Sequence, residues 1–593
     1  MKDFLKYMSA TVVGIFVFFI ITGALMVMSI IGMVASESSA TDVSDNTVFV
    51  LSLNGMMQER SERSLFDEVS SMNNDATSTI GLDEVLEAID KAKHNDKIKG
   101  IYIEAGMFAP DSYASAQAMR NALADFKKSG KWIVAYADTY TQGTYYIASV
   151  ANKVYLNPYG QLDWHGLAAQ PLFVKDVMAK FGVKMQVAKV GAYKSATEMF
   201  TEDKMSDANR EQITAYINGL WQNICKEVGA SRNVSVDKLN AYADRFITLS
   251  AAKDYVASGL VDQLLYTDQV KAEVNKLLKA EADEDINTVY LADMANVKAP
   301  KKEGEEIAVY YAYGDIVDVA SGSMSSSSHQ IVGKDVCADL KQLMDDDDVK
   351  AVVIRVNSGG GSAYASEQMW HAVEMLKKKK PVVVSMGGLA ASGGYYMSCG
   401  AQWIVAEPTT LTGSIGIFGM FPDFSGLLTE KLGVKFDEVK TNKFAGFGSM
   451  SRPFNEEEMS YLSSYISRGY ELFRQRVATG RKMKVEDVEQ VAQGRVWLGQ
   501  DAVKLKLVDE LGGLDKAVAK AASLAKVKDY YTSAYPGKTD WTESLFNTLS
   551  GRSYIDSKLQ AVLGDSYGCF MMMKDISHRN AIQARIPFDL NIK

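Results

Sequence analysis

One serine in a run of small residues could act as a nucleophile. Ser392 is preceded by two alanines and followed by Gly393 and Gly394, between a predicted strand and a predicted short helix. A helix N-terminus presents unpaired backbone N–H groups and a positive dipole end, both of which favour developing negative charge. The alternative is an N-cap serine in a tight turn. On this segment alone, both interpretations stay open.

A second candidate segment is a glycine run. Gly359, Gly360 and Gly361 follow a predicted buried strand and precede a predicted helix. Backbone N–H groups in such a run can stabilise an oxyanion, although a flexible strand-to-helix turn is equally compatible with the pattern. The run lacks the spacing of a Walker phosphate loop. A third segment, which contains Ser414, is by itself typical of a turn.

Lys194 is the candidate base. It lies between Tyr193 and Ser195, in a segment of small and aromatic residues. A lysine accepts a proton only where burial lowers its pKa from about 10.4 toward neutrality. Taken alone, the segment is explained more simply as an exposed loop that carries a lysine.

These segments belong to a pattern that occurs twice, about 250 residues apart. The first copy has Gln142 where the second has Ser392, and the second copy has no counterpart of Lys194, the aligned position falling near Ala445. A nucleophile in one copy and a base in the other predict a split active site. Alternating strands and helices of these lengths predict α/β domains with parallel strands, duplicated in tandem.

Composition and breaks in the pattern set the predicted boundaries. The first repeat, which carries the lysine, spans 46–296, and the second, which carries the serine, spans 307–530. A polar linker covers 297–306, and a tail that matches neither repeat covers 531–593. Residues 1–36 form a short cytoplasmic stub followed by an anchor.

The anchor is predicted from residues 7–35, which contain no charged side chain. As a helix this segment would be about 43 Å long, enough to cross a hydrocarbon core of about 30 Å. Lys2 and Lys6 precede it and acidic residues follow it, so the N-terminus is expected to stay cytoplasmic and the rest to cross the membrane once. A cleaved signal peptide is the alternative.

Composition excludes several classes of function. The chain has 593 residues and a net charge of −9, and no basic stripe with aromatic residues predicts nucleic-acid binding. Its four cysteines form no disulfide scaffold and no pair has metal-ligand spacing. The cysteines therefore predict neither a disulfide scaffold nor a metal site.

Together the four segments resemble the signal peptide peptidase A family, also called protease IV, in its long duplicated form. The segment around Lys194, with Glu198 four residues later, and the segment around Ser392 occur in the order and at the separation typical of that family. The family is similar in fold to the Clp protease and crotonase superfamily. One departure is Gly359, where the family usually has proline.

The resemblance implies a role for each candidate residue. Ser392 would be the nucleophile, Lys194 the general base, and Ser414 a hydrogen-bond partner of the lysine. The backbone N–H groups of Gly393 and of Gly360 or Gly361 would form the oxyanion hole. No metal or other cofactor is implied.

The resemblance also implies a function and a location. The chain would be a single-pass serine endopeptidase of the inner membrane, with its catalytic part on the periplasmic side. It would degrade signal peptides left in the membrane and assemble as a bowl-shaped homotetramer. One alternative is a non-catalytic scaffold or binding module on the crotonase fold. An acyl-CoA enzyme of the same superfamily is disfavoured by the anchor and by Lys194.

Overall fold

The structure is a computed structural model, and it describes most of the chain between residues 41 and 538. The described ranges are 41–61, 79–298, 303–320, 329–538 and 582–585, with a few isolated positions between 7 and 22. The predicted anchor over 7–35 and most of the predicted tail lie outside these ranges. Within the described part of the chain, no helix is long and apolar enough to cross a membrane.

A parallel sheet of seven strands forms the centre of the N-terminal half. Its central strands are rich in Val, Ile and Tyr and are largely buried, as expected for a sheet covered by helices. In spatial order the strands are Thr79–Gly81, Thr47–Gln58, Ile98–Ala109, Trp132–Tyr140, Lys153–Leu162 and Gln263–Leu264, with Thr288–Tyr290 also paired to Thr47–Gln58.

The helices of this half connect and cover those strands. The longest, Asp207–Arg232, begins at a Ser206 cap whose side chain accepts from the backbone N–H of Asn209. The others are Leu82–His94, Tyr113–Lys127, Gln142–Ala148, Lys175–Lys180, Glu198–Thr201, Val236–Asp244, Ala252–Ala257, Thr267–Leu278 and Leu291–Asn296, with a 3₁₀ turn at Ile247–Leu249.

The C-terminal half repeats the design with an eight-stranded sheet. All pairings are parallel except that of Val496–Leu498 with Leu411–Gly413. In spatial order the strands are Val496–Leu498, Leu411–Gly413, Val382–Ala391, Val349–Ser358, Glu305–Tyr313 and Tyr530–Tyr535, while Trp403–Ala406 joins Val382–Ala391 to Glu510–Leu511. The helices are Gly333–Asp345, Ala363–Lys377, Gly393–Ser398, Glu456–Arg481, Val485–Val491, Gly499–Lys504 and Leu514–Ala525, with a π-helical turn at Leu427–Lys431.

Equivalent side chains make equivalent bonds in the two halves. The Tyr145 hydroxyl donates to the carbonyl of Leu260 at 2.7 Å, and the Tyr395 hydroxyl donates to that of Leu507 at 2.9 Å. Both tyrosines lie in a short helix that directly follows a central strand of their half. The sequence repeat is therefore a repeat of three-dimensional structure.

A third sheet, which we call the bridging sheet, contains strands from both halves. Strand Lys184–Lys189 of the first half pairs antiparallel with Phe418–Asp423 of the second. In spatial order its strands are Gln330–Val332, Asp315–Val317, Gly360–Ser362, Ile582–Arg585, Phe418–Asp423 and Lys184–Lys189. This sheet places the loop that carries Lys194 beside the second half.

Candidate active site

Ser392 lies between strand Val382–Ala391 and helix Gly393–Ser398, and it is fully buried. Its backbone has φ +54° and ψ −111°, a conformation that a residue with a side chain rarely adopts. Its N–H donates to the carbonyl of Gly413 at 2.8 Å, which fixes the turn from the outside. The surrounding fold thus imposes a strained backbone on the predicted nucleophile.

Close packing explains the small residues after this serine. A β-carbon on Gly393 would lie 2.6 Å from the hydroxyl oxygen of Ser366, and one on Gly394 would lie 2.8 Å from the carbonyl oxygen of Ser358. Real β-carbons do not approach neighbours so closely, so only glycine fits at both positions. The two glycines allow the N-terminus of helix Gly393–Ser398 to pack against Ser358, which directly precedes the glycine run.

Lys194 reaches the serine from the other half of the chain. It lies in the loop between strand Lys184–Lys189 and helix Glu198–Thr201 and is fully buried. Its Nζ is 2.8 Å from the Ser392 Oγ, 3.1 Å from the Ser414 carbonyl oxygen and 3.0 Å from the Ser414 Oγ. The structure therefore brings together the three residues singled out in the sequence, from positions about 200 residues apart.

Burial determines the electrostatics of this lysine. Removal from water lowers the pKa of Lys194 well below its ordinary value, because the ammonium form loses its hydration. The three neighbouring atoms are hydroxyl and carbonyl oxygens, none of which carries a formal charge that would restore the ammonium. A neutral amine at this position can accept a proton from Ser392.

A polar network behind the lysine holds its loop. The side-chain amide of Gln212 donates to the Tyr193 carbonyl at 3.1 Å and to the Ser195 hydroxyl at 3.0 Å. The Ser195 hydroxyl donates to Asn209, whose own amide donates to the carboxylate of Glu198 at 3.0 Å. A role for Asn209 and Gln212 is not among the predictions made from the sequence. Their spacing of three on one face of a helix was the available signal.

A glycine from the second half closes over the lysine. Gly494 has φ +79°, and a β-carbon there would lie 2.7 Å from the Lys194 Cβ and 2.8 Å from its backbone N. The carbonyl of the adjacent Gln493 accepts the N–H of Tyr193 at 3.0 Å. Sequence analysis did not identify this turn, since its partner lies about 300 positions earlier in the chain.

The predicted oxyanion-hole glycines lie next to one another. Gly393 is the first residue of its helix, so its N–H has no acceptor within the helix. A β-carbon on Gly360 would lie 2.7 Å from the backbone N of Gly393. The N–H of Gly360 donates to the Ser358 hydroxyl at 3.1 Å, while Gly361 follows in the same short strand.

Ser414 follows strand Leu411–Gly413 and also has a positive φ, +48°. Its N–H donates to the carbonyl of Arg495 at 2.7 Å, and its side chain is fully buried. Its hydroxyl and carbonyl oxygens both face the Lys194 amine. A single strained residue thus supplies two of the three oxygens around the lysine.

The first copy has no nucleophile at the equivalent place. The Gln142 side-chain oxygen accepts from the N–H groups of His165 and Gly166, each at 3.1 Å, and its amide donates to the Gly166 carbonyl at 3.1 Å. The side chain is buried and fixes the turn after strand Lys153–Leu162. Across the described ranges, no group of three or more His, Cys, Asp or Glu side chains could hold a metal ion.

Comparisons with known proteins give two matches to the same family profile, one in each half. The profile described as Peptidase family S49 matches residues 125–281 and 374–528, and the profile described as Clp protease matches 303–405. The tandem α/β halves are therefore of the Clp protease type. Both S49 matches include the long helix of their half, and the second includes Ser392 and Ser414.

Named relatives resemble most of the chain. "Protease 4" of Salmonella typhi is 33% identical over 490 residues, 81% of this chain and 78% of that protein. "Protease 4" of Haemophilus influenzae is 33% identical over 545 residues, 88% of this chain and 87% of that protein. "Serine protease SPPA, chloroplastic" of Arabidopsis thaliana is 30% identical over 456 residues, 76% of this chain and 66% of that protein.

Proposed function

The chain belongs to peptidase family S49 and is a serine protease, and from that premise we propose that Ser392 is its nucleophile and Lys194 its general base. The observation that carries this proposal is the 2.8 Å contact between the Lys194 Nζ and the Ser392 Oγ, two side chains that are both fully buried. Ser414 orients the amine through its hydroxyl and carbonyl oxygens.

Acylation follows from this arrangement. The neutral Lys194 amine takes the proton of the Ser392 hydroxyl as the oxygen attacks the substrate carbonyl carbon. The resulting oxyanion lies against the backbone N–H groups of Gly393 and Gly361, which stabilise the charge as it develops, while the N–H of Gly360 stays bound to the Ser358 hydroxyl. Lys194, now an ammonium, gives its proton to the leaving amine, and the acyl-enzyme remains.

Deacylation uses the same groups in the same roles. Water enters after the leaving peptide departs, and Lys194 takes one of its protons as the water oxygen attacks the ester carbonyl. The second tetrahedral intermediate collapses, the Ser392 oxygen recovers a proton from Lys194, and the acyl peptide leaves as a carboxylic acid that loses its proton to the solvent. No step requires a metal.

The substrate and the location are part of the proposal. We expect residues 7–35 to anchor the chain in the inner membrane, with the catalytic halves on the periplasmic side. Signal peptides that remain in the membrane after preprotein processing would then lie close to the enzyme, and a homotetramer would enclose them. The uncharged length of this segment and the basic residues before it support the anchor.

The test of the catalytic roles uses single and double variants of the full chain. Ser392→Ala and Lys194→Ala should each lower kcat/KM for a fluorogenic peptide by at least about 10³-fold, and the double variant should be no worse. Lys175→Ala, at a half-exposed lysine paired with Asp203, is the control. Near-normal turnover in either single variant would refute the dyad, and failure of a serine-reactive probe to label Ser392 would favour the scaffold alternative.

The location is tested separately. A reporter that is active only in the periplasm, fused after residue 36, should be active, and the protein should stay in the membrane fraction after a carbonate wash. Purified enzyme in vesicles should degrade a synthetic signal peptide that has been inserted into the same bilayer. Release of the protein by carbonate would contradict the anchor while leaving the catalytic roles intact.

A further inference from the structure

A strand from the end of the chain lies inside the bridging sheet, between two strands of the second half. Residues Ile582–Arg585 pair antiparallel with Gly360–Ser362 on one side, where Gly361 lies opposite Ala584. On the other side they pair antiparallel with Phe418–Asp423, where Phe418 lies opposite Gln583. We call this segment the tail strand.

The tail strand passes the predicted oxyanion hole. The carbonyl oxygen of Ala584 lies 2.0 Å from the position that a β-carbon on Gly360 would take, and 3.0 Å from that of a β-carbon on Gly393. One backbone oxygen therefore lies against both segments that would stabilise the charge of a reacting carbonyl. The oxygen of a scissile carbonyl binds at the oxyanion hole, and the Ala584 carbonyl lies beside the same two glycines.

The side chains of the tail strand also contact the second half. Ala584 is fully buried and belongs to the apolar core of the second half, and Gln583 is 5% exposed. The Arg585 guanidinium lies 3.2 Å from the carboxylate of Asp315, which belongs to another strand of the bridging sheet. In this register a small side chain comes before the bond that faces the site, and a basic side chain comes after it.

We propose that the tail strand is a built-in competitive ligand of the substrate groove, with Ala584 at the acyl position and Arg585 on the leaving side. This inference rests on the proposed function, since it takes Ser392 and the glycines as the reacting centre. Extended peptides bind other proteins by adding a strand to a sheet edge, and here the groove has such an edge on each side. Neighbouring strands are about 4.8 Å apart, so the gap admits one strand.

Two consequences follow for the enzyme. A peptide substrate binds only when the tail strand has left the gap, and a covalently attached competitor acts at an effective concentration in the millimolar range. The tail strand also indicates the substrate class, which is an extended peptide with a small residue at the acyl position. The fully buried Ala584 leaves no room there for a large side chain without displacement of its neighbours.

A charge reversal tests the inference in the active enzyme. Arg585→Asp places a second carboxylate opposite that of Asp315, so the tail strand should bind more weakly. We expect KM for a fluorogenic peptide to fall about tenfold with kcat unchanged. The double variant Asp315→Arg, Arg585→Asp restores the pair and should return KM toward the wild-type value. An unchanged KM in the folded Arg585→Asp enzyme would overturn the inference.

A binding experiment tests the same inference without chemistry. In a Ser392→Ala background, a fluorescent peptide with the sequence of residues 580–587 should bind at least about tenfold more tightly when Ala584 is replaced by tryptophan, because the bulky side chain expels the tail strand. Ala282→Trp, at an exposed site of the first half, is the matched control. Equal affinity in the three proteins would contradict the inference.

These results separate the inference from the proposed function. If Ser392 is not the nucleophile, the Ser392→Ala enzyme will keep its peptidase activity or a serine-reactive probe will fail to label Ser392, yet the binding experiment still reports on the groove. If the tail strand is only a structural element, Arg585→Asp will lower the unfolding temperature without a fall in KM. If the enzyme is active and neither KM nor peptide affinity differs between the tail variants and the wild type, the inference is refuted while the proposed function stands.

Discussion

At the scale of single residues, the three oxygens around the Lys194 amine can serve its neutral form, which burial favours. A neutral amine has two N–H bonds and one lone pair. Two of the three neighbouring oxygens belong to Ser414 and can accept the two N–H bonds, which leaves the lone pair for the hydroxyl proton of Ser392. In the proposed mechanism Lys194 therefore acts as a base, and Ser414 is a positioning residue.

The pH dependence of activity should follow from this protonation state. Because burial lowers the pKa of Lys194 well below its ordinary value, kcat/KM should rise with pH through that lowered pKa and level off above it, where the amine is neutral. The measurement is kcat/KM against pH with a substrate for which chemistry limits the rate. A profile that stays flat from acid to alkaline pH would remove the neutral lysine from the mechanism.

Ser414→Ala tests the positioning role in the same assay. The loss of one hydrogen bond to the amine, worth roughly 1 kcal/mol, should lower kcat about five- to tenfold and leave KM unchanged. The rising limb of the pH profile should also move, since the hydroxyl touches the titrating group. If kcat falls but the rising limb of the pH profile stays at the same pH, Ser414 has a structural role alone.

The sequence predicted which residues meet, but not how their backbones are held. Ser392 and Lys194 were recognisable because each lies in a short segment of unusual composition. The positive φ of Ser392 and of Ser414 depends on bonds to Gly413 and Arg495, which no local pattern encodes. Such strain persists only where the surrounding structure imposes it, so it becomes visible only in the fold.

At the scale of elements, strands inside one half were predictable and strands shared between halves were not. The alternation of strands and helices predicted parallel central strands, and the structure has them at Ile98–Ala109 and Val349–Ser358. Strand Lys184–Lys189 is polar at both ends and pairs with a strand about 230 residues later. Its partner, rather than its composition, makes it a strand.

The turn at Gly494 has to keep its shape for Lys194 to stay in place, and this can be tested. Gly494→Ala should abolish activity, because its β-carbon would lie 2.7 Å from the Lys194 Cβ and would displace the lysine. Gly130→Ala is the matched control, since Gly130 also has a positive φ but a β-carbon there would have no heavy atom within 4 Å. Both changes should cost about 1 kcal/mol of backbone strain. Activity assays and thermal unfolding of the two variants will distinguish strain from displacement, and equal activity would contradict the steric argument.

At the scale of the whole molecule, the active site exists only while the two halves are docked. In the proposed mechanism the first half supplies the base and the second the nucleophile, so a contact that joins the halves is also a condition for that mechanism. Helix Asp207–Arg232 packs Ile213, Tyr216 and Leu220 against apolar residues of the second half. The duplication was evident from the sequence, whereas this docking surface was not, because an amphipathic helix does not reveal which sheet it covers.

A buried ion pair joins the two halves of the chain. The guanidinium of Arg355 lies 2.6 Å from the carboxylate of Glu59, both side chains are 4% exposed, and the amide of Asn357 donates to the same carboxylate at 2.9 Å. Glu59→Gln leaves a buried guanidinium without its counter-charge, which should lower the free energy of unfolding by about 3–5 kcal/mol.

Urea unfolding of the full chain measures this loss, and Asp345→Asn, at a largely exposed pair with Lys341, is the control that should change stability little. The double variant Glu59→Met, Arg355→Met removes both charges and should recover most of the stability, because a well-packed apolar pair avoids the desolvation cost. Peptidase activity should disappear at the same urea concentration as the contact between the halves, since Arg355 lies in the strand that leads to the glycine run. Activity that outlasts the docking of the halves would contradict a site divided between them.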